Sequence, residues 1–245
     1  MGEELGCVSQ VWRYPASSLA GERPVAIEVG FRGVSGDRGF GVVEAATGEP
    51  GRPDGDRKWH GLPWIRTRLS DTGLQVAVPG GDWLDAPGEE CDGVLSGFLD
   101  FAVSLRPFSR EAAPEFGGPL SSSRYDVAPV HLLTTASLAE LRRLSPDTDP
   151  DPRRFRPNVL VEMPAVAGRF PETEWIGRRI AVGEVELTIS EPCRRCGFTI
   201  IAQDGFDNDP EVLRQLVRHN GRNIGIYCRV DRPGRISDGD SLRFL

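Results

Sequence analysis

The sequence predicts a mainly β protein of the α+β class with about three helices. Short alternating or β-branched runs recur along the chain, 29 glycines and 20 prolines punctuate them, and few stretches show helical spacing. Many short strands with sparse helices favour β-barrel architecture over a doubly wound α/β sheet.

Runs at Cys7–Trp12, Pro24–Phe31, Phe40–Glu44, Trp64–Leu69 and Leu74–Val78 make the amino-terminal half β-rich. Over Asp92–Leu105, the residues Val94, Phe98, Phe101, Ala102 and Leu105 fall at helical spacing, which predicts a helix joining two halves. Pro107–Ser123, rich in Pro, Gly and Ser, reads as a long loop or linker. A strand at Val127–Leu133 precedes a short helix. Ser137 and Glu140 are read as its capping box, Leu138, Leu141 and Leu144 as its apolar stripe, and Ser145-Pro146 as its stop. Asp147–Pro152 reads as an exposed loop. β character returns from Asn158, with a hairpin in Ile180–Ile189 turning at Val182-Gly183-Glu184. The last helix is capped by Asp209, carries Pro210 in its first turn and Val212, Leu213, Leu216 and Val217 on one face, and ends at Gly221. Strands at Ile224–Val230 and Ser241–Leu245 close the chain, with turn signals at Pro233-Gly234 and Asp238-Gly239-Asp240 between them.

Composition removes some functions. A net charge of −7 over 245 residues disfavours nonspecific attraction to nucleic-acid phosphates. Lys58 is the only lysine, so nearly every cation is an arginine, whose planar fork suits phosphate or carboxylate. The start, MGEELGCVSQ, reads as neither signal peptide nor membrane span, which predicts a soluble cytoplasmic protein without a membrane partner. Five scattered cysteines do not form a secreted disulfide framework. Nucleophile-elbow, zinc-protease, phosphate-loop and dinucleotide fingerprints are all missing from the sequence.

The chemistry concentrates in Glu191–Cys196, EPCRRC, where two arginines separate two cysteines. A thioredoxin-like pair needs a helix after it, and GFTIIAQDG reads as a β run and a turn. Structural zinc needs a second pair of ligands, and no second pair stands at ligand spacing. Two readings stay open: a small buried pair, or a soft thiolate ligand with Arg194 and Arg195 answering negative charge on a cofactor.

Four separated stretches resemble the MOSC family, named for the carboxy-terminal domain of molybdenum cofactor sulfurase. Tyr14–Glu22, YPASSLAGE, resembles the YPxKSxxG opening of the domain that precedes the MOSC domain, and Gly36-Asp37-Arg38 matches the GDR that follows it. Arg154–Asn158, RFRPN, resembles the opening of the MOSC domain proper, EPCRRC its PCxRC, and Gly225-Ile226-Tyr227 through Gly239-Asp240 its closing pattern. The resemblance implies a MOSC-type β-barrel packed against an amino-terminal β-barrel, divided as 1–90, a connecting helix and loop over 91–126, and a MOSC domain over 127–245.

The resemblance also implies a role for particular residues. Cys196 would ligate molybdenum of the molybdopterin form of the molybdenum cofactor and serve as the catalytic residue, with Cys193 structural. Arg38, Ser17, Ser18, Arg156, Asn158 and Arg195 would bind the cofactor. The implied activity is reduction of small N-hydroxylated or N-oxide substrates, with electrons from a separate donor protein. A cofactor or sulfur carrier, and a molybdenum-free enzyme using Cys196 as nucleophile, are the alternatives. Two departures stand out: Ser17 occupies the place of the family's lysine, with Arg13 as the neighbouring cation, and AQDG (Ala202–Gly205) replaces an acidic-proline turn near the implied substrate entrance.

Overall fold

The computed structural model describes residues 4–107, 129–165 and 167–245. Most of the predicted linker, Pro107–Ser123, and the start of the strand predicted from Val127 lie outside the described residues.

Seven strands close a barrel: β1 (Glu4–Val11), β9 (Val130–Thr134), β10 (Val159–Glu162), β11 (Arg179–Val182), β12 (Val185–Arg194), β13 (Asn223–Arg232) and β15 (Ser241–Phe244). Their order around the barrel is β1-β10-β9-β13-β12-β11-β15. Closure removes exposed edges, and inward residues of period two fill the interior. Along β12, Val185, Leu187 and Ile189 are buried against Ile226, Cys228 and Val230 of β13. Each such burial contributes about 1.5–3 kcal/mol. The predicted hairpin forms, with Val182 opposite Val185. Strand β1, counted with residues 1–90 in the division above, is hydrogen-bonded into this barrel between β10 and β15.

The amino-terminal residues build a second β unit. Here β4 (Phe40–Glu44) pairs with β8 (Val103–Pro107), while β5 (Arg66–Ser70), β6 (Gly73–Ala77) and β7 (Leu84–Ala86) form a three-stranded sheet. Bridges from Ala16 to Phe40 and from Ala20 to Arg66 stitch the two sheets through one segment. Leu19, Leu62, Ile65, Leu74, Leu95 and Leu105 make its core. A third sheet joins β2 (Ala26–Gly30), β3 (Gly33–Val34) and β14 (Gly234–Ser237). The last of these strands occupies the place where a turn at Pro233-Gly234 was predicted.

Three α-helices occur among the described residues: α1 (Glu89–Leu99), α2 (Thr135–Leu144) and α3 (Pro210–Asn220). The predicted helix over Asp92–Leu105 is displaced, because Asp100 turns left-handed at φ 64° and sends the chain into β8. Asp92 locks that reversal by accepting from Leu105 N and Ser104 Oγ, both at 2.8 Å. The buried face is consequently Cys91, Leu95 and Leu99, not the stripe through Val94 and Phe98, which stay 38% and 37% exposed. Helix α2 is capped by Thr134, whose hydroxyl accepts from Ser137 N at 3.1 Å, so the predicted Ser137–Glu140 capping box does not form. Asp209 and Gly221 cap α3 as predicted, but Val217 is 55% exposed, and Gln215 takes the inner face with Val212 and Leu216. The Asp147–Pro152 loop is not wholly exposed, since Thr148 and Pro150 are buried.

Candidate functional site

The two cysteines of EPCRRC sit in opposite environments. Strand β12 shifts register between Ile189 and Glu191 and again between Pro192 and Arg194. Glu191 is exposed and Cys193 is buried, packed on Tyr227. Cys196 follows the strand and is exposed at the start of a 3-10 turn, Gly197–Ile200. That turn resolves the stretch read as a β run, and the context remains unlike a thioredoxin helix.

Burial alone would raise the Cys193 thiol. The Arg195 guanidinium, 2.6 Å from its sulfur, and then His131 outweigh that and bring it down to about 6. For Cys196, partial burial of the sulfur comes first and pushes the thiol up; a hydrogen bond from the Phe198 backbone opposes it, and the Asp54 carboxylate adds to the rise. Asp54 lies against the turn, its Cβ 3.5 Å from where a side chain on Gly197 would begin. The more ionised sulfur is thus the inaccessible one. Of the two, Cys196 is the exposed residue.

Arginines of the two units interlock beside this turn. Arg156, at φ 53°, lies with its guanidinium 4.1 Å above the Tyr14 ring and 5.4 Å from that of Phe198, two residues past Cys196. It donates to the carbonyls of Leu19 and Ala16, which bracket Ser17 and Ser18. Arg38, at φ 52°, is ion-paired with Asp37, donates to the Arg156 carbonyl at 3.2 Å and lies 5.1 Å from the Tyr14 ring. Ser18 adopts φ 64°, and both serines are half-buried. The structure therefore gathers Arg38, Arg156, Ser17 and Ser18 around one braced loop, joined to the Cys196 turn through Phe198.

Asn158 and Arg195 are held differently. Asn158 is fully buried, its Oδ1 accepting from His131 N at 3.1 Å and its Nδ2 donating to the Trp12 carbonyl at 3.4 Å. It welds β9, β10 and the amino-terminal segment together. Arg195 spans Cys193 and the Phe155 carbonyl, the latter at 2.8 Å. Arg13, the cation nearest the missing lysine, is ion-paired with Glu22 at 2.7 Å.

Sequence reasoning missed two buried polar residues. His131 packs 5.4 Å from the Tyr227 ring, and its Nδ1 contacts the Arg156 carbonyl at 3.1 Å. Glu172 is fully buried; Thr134 Oγ1 and Ser137 Oγ donate to it at 2.7 and 2.5 Å, and Gly225 N at 3.1 Å. Burial pushes its carboxyl up. A histidine within Val130–Leu133 and an acid between Phe170 and Trp175 were the available signals. Gly225 adopts φ 76°, and a Cβ there would collide with His131 Nε2, which accounts for glycine at the first position of Gly225-Ile226-Tyr227.

A cleft of about 210 Å³ opens beside this cluster, lined by Trp12, Tyr14, Trp64, Arg66, Arg156 and Gln203 among others. Gln203 and Asp204 of the AQDG stretch both line it.

Residues 119–243, half of the chain, match the MOSC domain. The chain belongs to the MOSC family. It is 26% identical to mitochondrial amidoxime reducing component 2 of Bos taurus and to that of Rattus norvegicus, over 98% of this chain and 83% of each relative. The YuaD protein from Bacillus subtilis shares the fold at a TM-score of 0.52 and 15% identity, covering 99% of this MOSC chain and 97% of that one.

Among the described residues, no three His, Cys, Asp or Glu gather to hold a metal ion. A metal here would take further donors from an organic ligand. An exposed thiol, a serine loop clamped by Arg156 and the paired arginines around Tyr14 together fit such a cofactor. No helix among the described residues is long and apolar enough to cross a membrane.

Proposed function

We propose that this chain is a molybdenum-cofactor-dependent reductase of N-hydroxylated or N-oxide compounds, with Cys196 as the thiolate ligand. The observation that carries the reading is the exposed Cys196 beside the arginine-braced Ser17-Ser18 loop, in a MOSC chain similar over nearly its whole length to proteins named for amidoxime reduction. Bound there, the cofactor supplies the two-electron chemistry that turns an N–O bond into N–H and water.

The protein's own residues divide the remaining work. Cys196 gives up its proton to become a ligand, because the thiolate is the coordinating form. Ser17 and Ser18 offer hydroxyls in a loop that Arg156 holds by the carbonyls on either side. Arg38 and Arg156 supply fixed positive charge in the absence of the family's lysine. Asn158 and Arg195 act as positioning residues, the first between strands and the second beneath Cys193. Electrons come from a separate donor protein in this reading.

The same exposure of Cys196 supports a second reading as a cofactor or sulfur carrier. A nucleophilic role is less well supported, since surrounding protein and Asp54 push that thiol up. The test is turnover of an amidoxime with a chemical reductant by cofactor-loaded protein. The reductase reading requires activity that disappears in Cys196→Ala; cofactor transfer to another enzyme without turnover would select the carrier.

A further inference from the structure

Arg154, the first arginine of RFRPN, is 1% exposed, and its guanidinium is bonded to backbone on three sides. Its Nε donates to the Asp149 carbonyl at 2.9 Å, Nη1 to that of Thr199 at 3.3 Å and Nη2 to that of Asp207 at 2.7 Å. One face of the guanidinium lies 4.0 Å from the centroid of the Phe206 ring. All three carbonyls belong to loops or turns, outside every strand of the barrel. A buried cation costs more than an aliphatic side chain filling the same space, so what Arg154 holds in place accounts for a guanidinium here.

It holds the turn that follows Cys196. A 3-10 stretch as short as Gly197–Ile200 has poor internal hydrogen-bond geometry, so its shape depends on what braces it from outside. Thr199, fully buried, carries the brace inward. Its N–H and Oγ1 donate to the Cys196 carbonyl at 3.3 and 3.0 Å, while its own carbonyl accepts from Arg154. The far end of the turn is fixed as well, because the Ile200 carbonyl accepts at 2.8 Å from the N–H of Asp209, the cap of α3. A chain of bonds thus runs from the Arg154 guanidinium through Thr199 to the backbone of Cys196.

We propose that Arg154 and Thr199 are positioning residues for Cys196, fixing the backbone from which its sulfur reaches the metal. The role of the metal rests on the reductase reading. The brace itself belongs to the cofactor-free chain and is tested there.

The test is iodoacetamide labelling of the full cofactor-free chain at one pH, mapped by peptide mass, with half-buried Cys7 and buried Cys91 and Cys228 as internal references. Thr199→Val keeps the size and the backbone N–H but loses the hydroxyl; Thr199→Ser keeps the hydroxyl; Arg154→Gln loses the guanidinium fork. Thr199→Val and Arg154→Gln are each expected to speed Cys196 labelling at least about threefold, as the released turn bares more of the sulfur, with the reference cysteines unchanged and Thr199→Ser close to wild type. Where Arg154→Gln fails to fold, the contrast between the two Thr199 variants decides. Cys196 labelling unmoved, all four cysteines speeding up together, or the valine and serine variants behaving alike would overturn the proposal, the second outcome by making the role one of general stability. Molybdenum per chain, measured on wild type made in a host with the pterin cofactor, separates this claim from the reading beneath it. The expected labelling pattern without metal keeps the brace and ends the metal role of Cys196; metal with labelling unmoved ends the brace alone.

Discussion

Replacing Cys193 by alanine should change how the stability of this protein depends on pH. Burial raises the thiol, Arg195 and His131 lower it, and the balance leaves it at about 6 against an ordinary 9.0. A depressed acid stabilises the fold fully above its unfolded value and loses that contribution as pH falls through the folded one. Between these limits, unfolding takes up as much as one proton, so the contribution grows with pH by up to about 1 kcal/mol for each pH step. Cys193→Ala removes this contribution, while Cys196 titrates equally in both proteins and cancels. Urea unfolding of cofactor-free protein under reductant, at about pH 6, 7 and 8, should show wild type gaining on the variant as pH rises, by up to about 1 kcal/mol per step. A difference that stays flat over this range would refute the reasoning and make Cys193 a neutral buried thiol.

Two further outcomes follow from the same neighbourhood. Glu172→Ala strands Gly225 N–H and leaves a void, and should cost about 2–4 kcal/mol in denaturant unfolding; Glu172→Gln, which keeps an acceptor for Gly225 and a donor for the two hydroxyls, should cost less than about 1 kcal/mol. Iodoacetamide mapped by peptide mass should label Cys196 at least about tenfold faster than Cys193, since access outweighs thiolate fraction when one sulfur is buried; the reverse order would contradict the buried Cys193.

Much of the barrel was readable from the chain because period-two burial dominates it. Val185, Leu187 and Ile189 alternate cleanly, and Gly183 marks their hairpin. The α1 region misled because Phe98, Phe101 and Leu105 share helical spacing, while Asp100 breaks the helix by adopting a left-handed conformation that its residue type alone does not announce. Ser137 was read as the cap and tertiary bonding decided otherwise: Glu172, distant in sequence, accepts from both the Ser137 and Thr134 hydroxyls, and the Thr134 oxygen, still able to accept, caps the helix through Ser137 N.

At the site, residue types were legible and their orientations were not. Two cysteines three apart look alike until the fold buries Cys193 within β12 and leaves Cys196 past its end, exposed at the start of the following turn. Asn158 and Arg195 have the donors a cofactor needs, yet the fold gives Asn158 to the His131 and Trp12 backbone and Arg195 to Cys193 and Phe155. Tyr14 entered only as the first residue of the YPASSLAGE stretch. Its place beneath two guanidinium groups depends on left-handed backbone at both Arg38 and Arg156, which no local pattern reveals.

The central claim is that Cys196 holds molybdenum. It is tested most directly by elemental mass spectrometry of metal per chain, for wild type and Cys196→Ala made in a host that synthesises the pterin cofactor. The account expects near-stoichiometric molybdenum in wild type and its loss in the variant, with both proteins folded. Equal molybdenum in the two, or none in wild type while the host's own molybdenum enzymes are loaded, would contradict it.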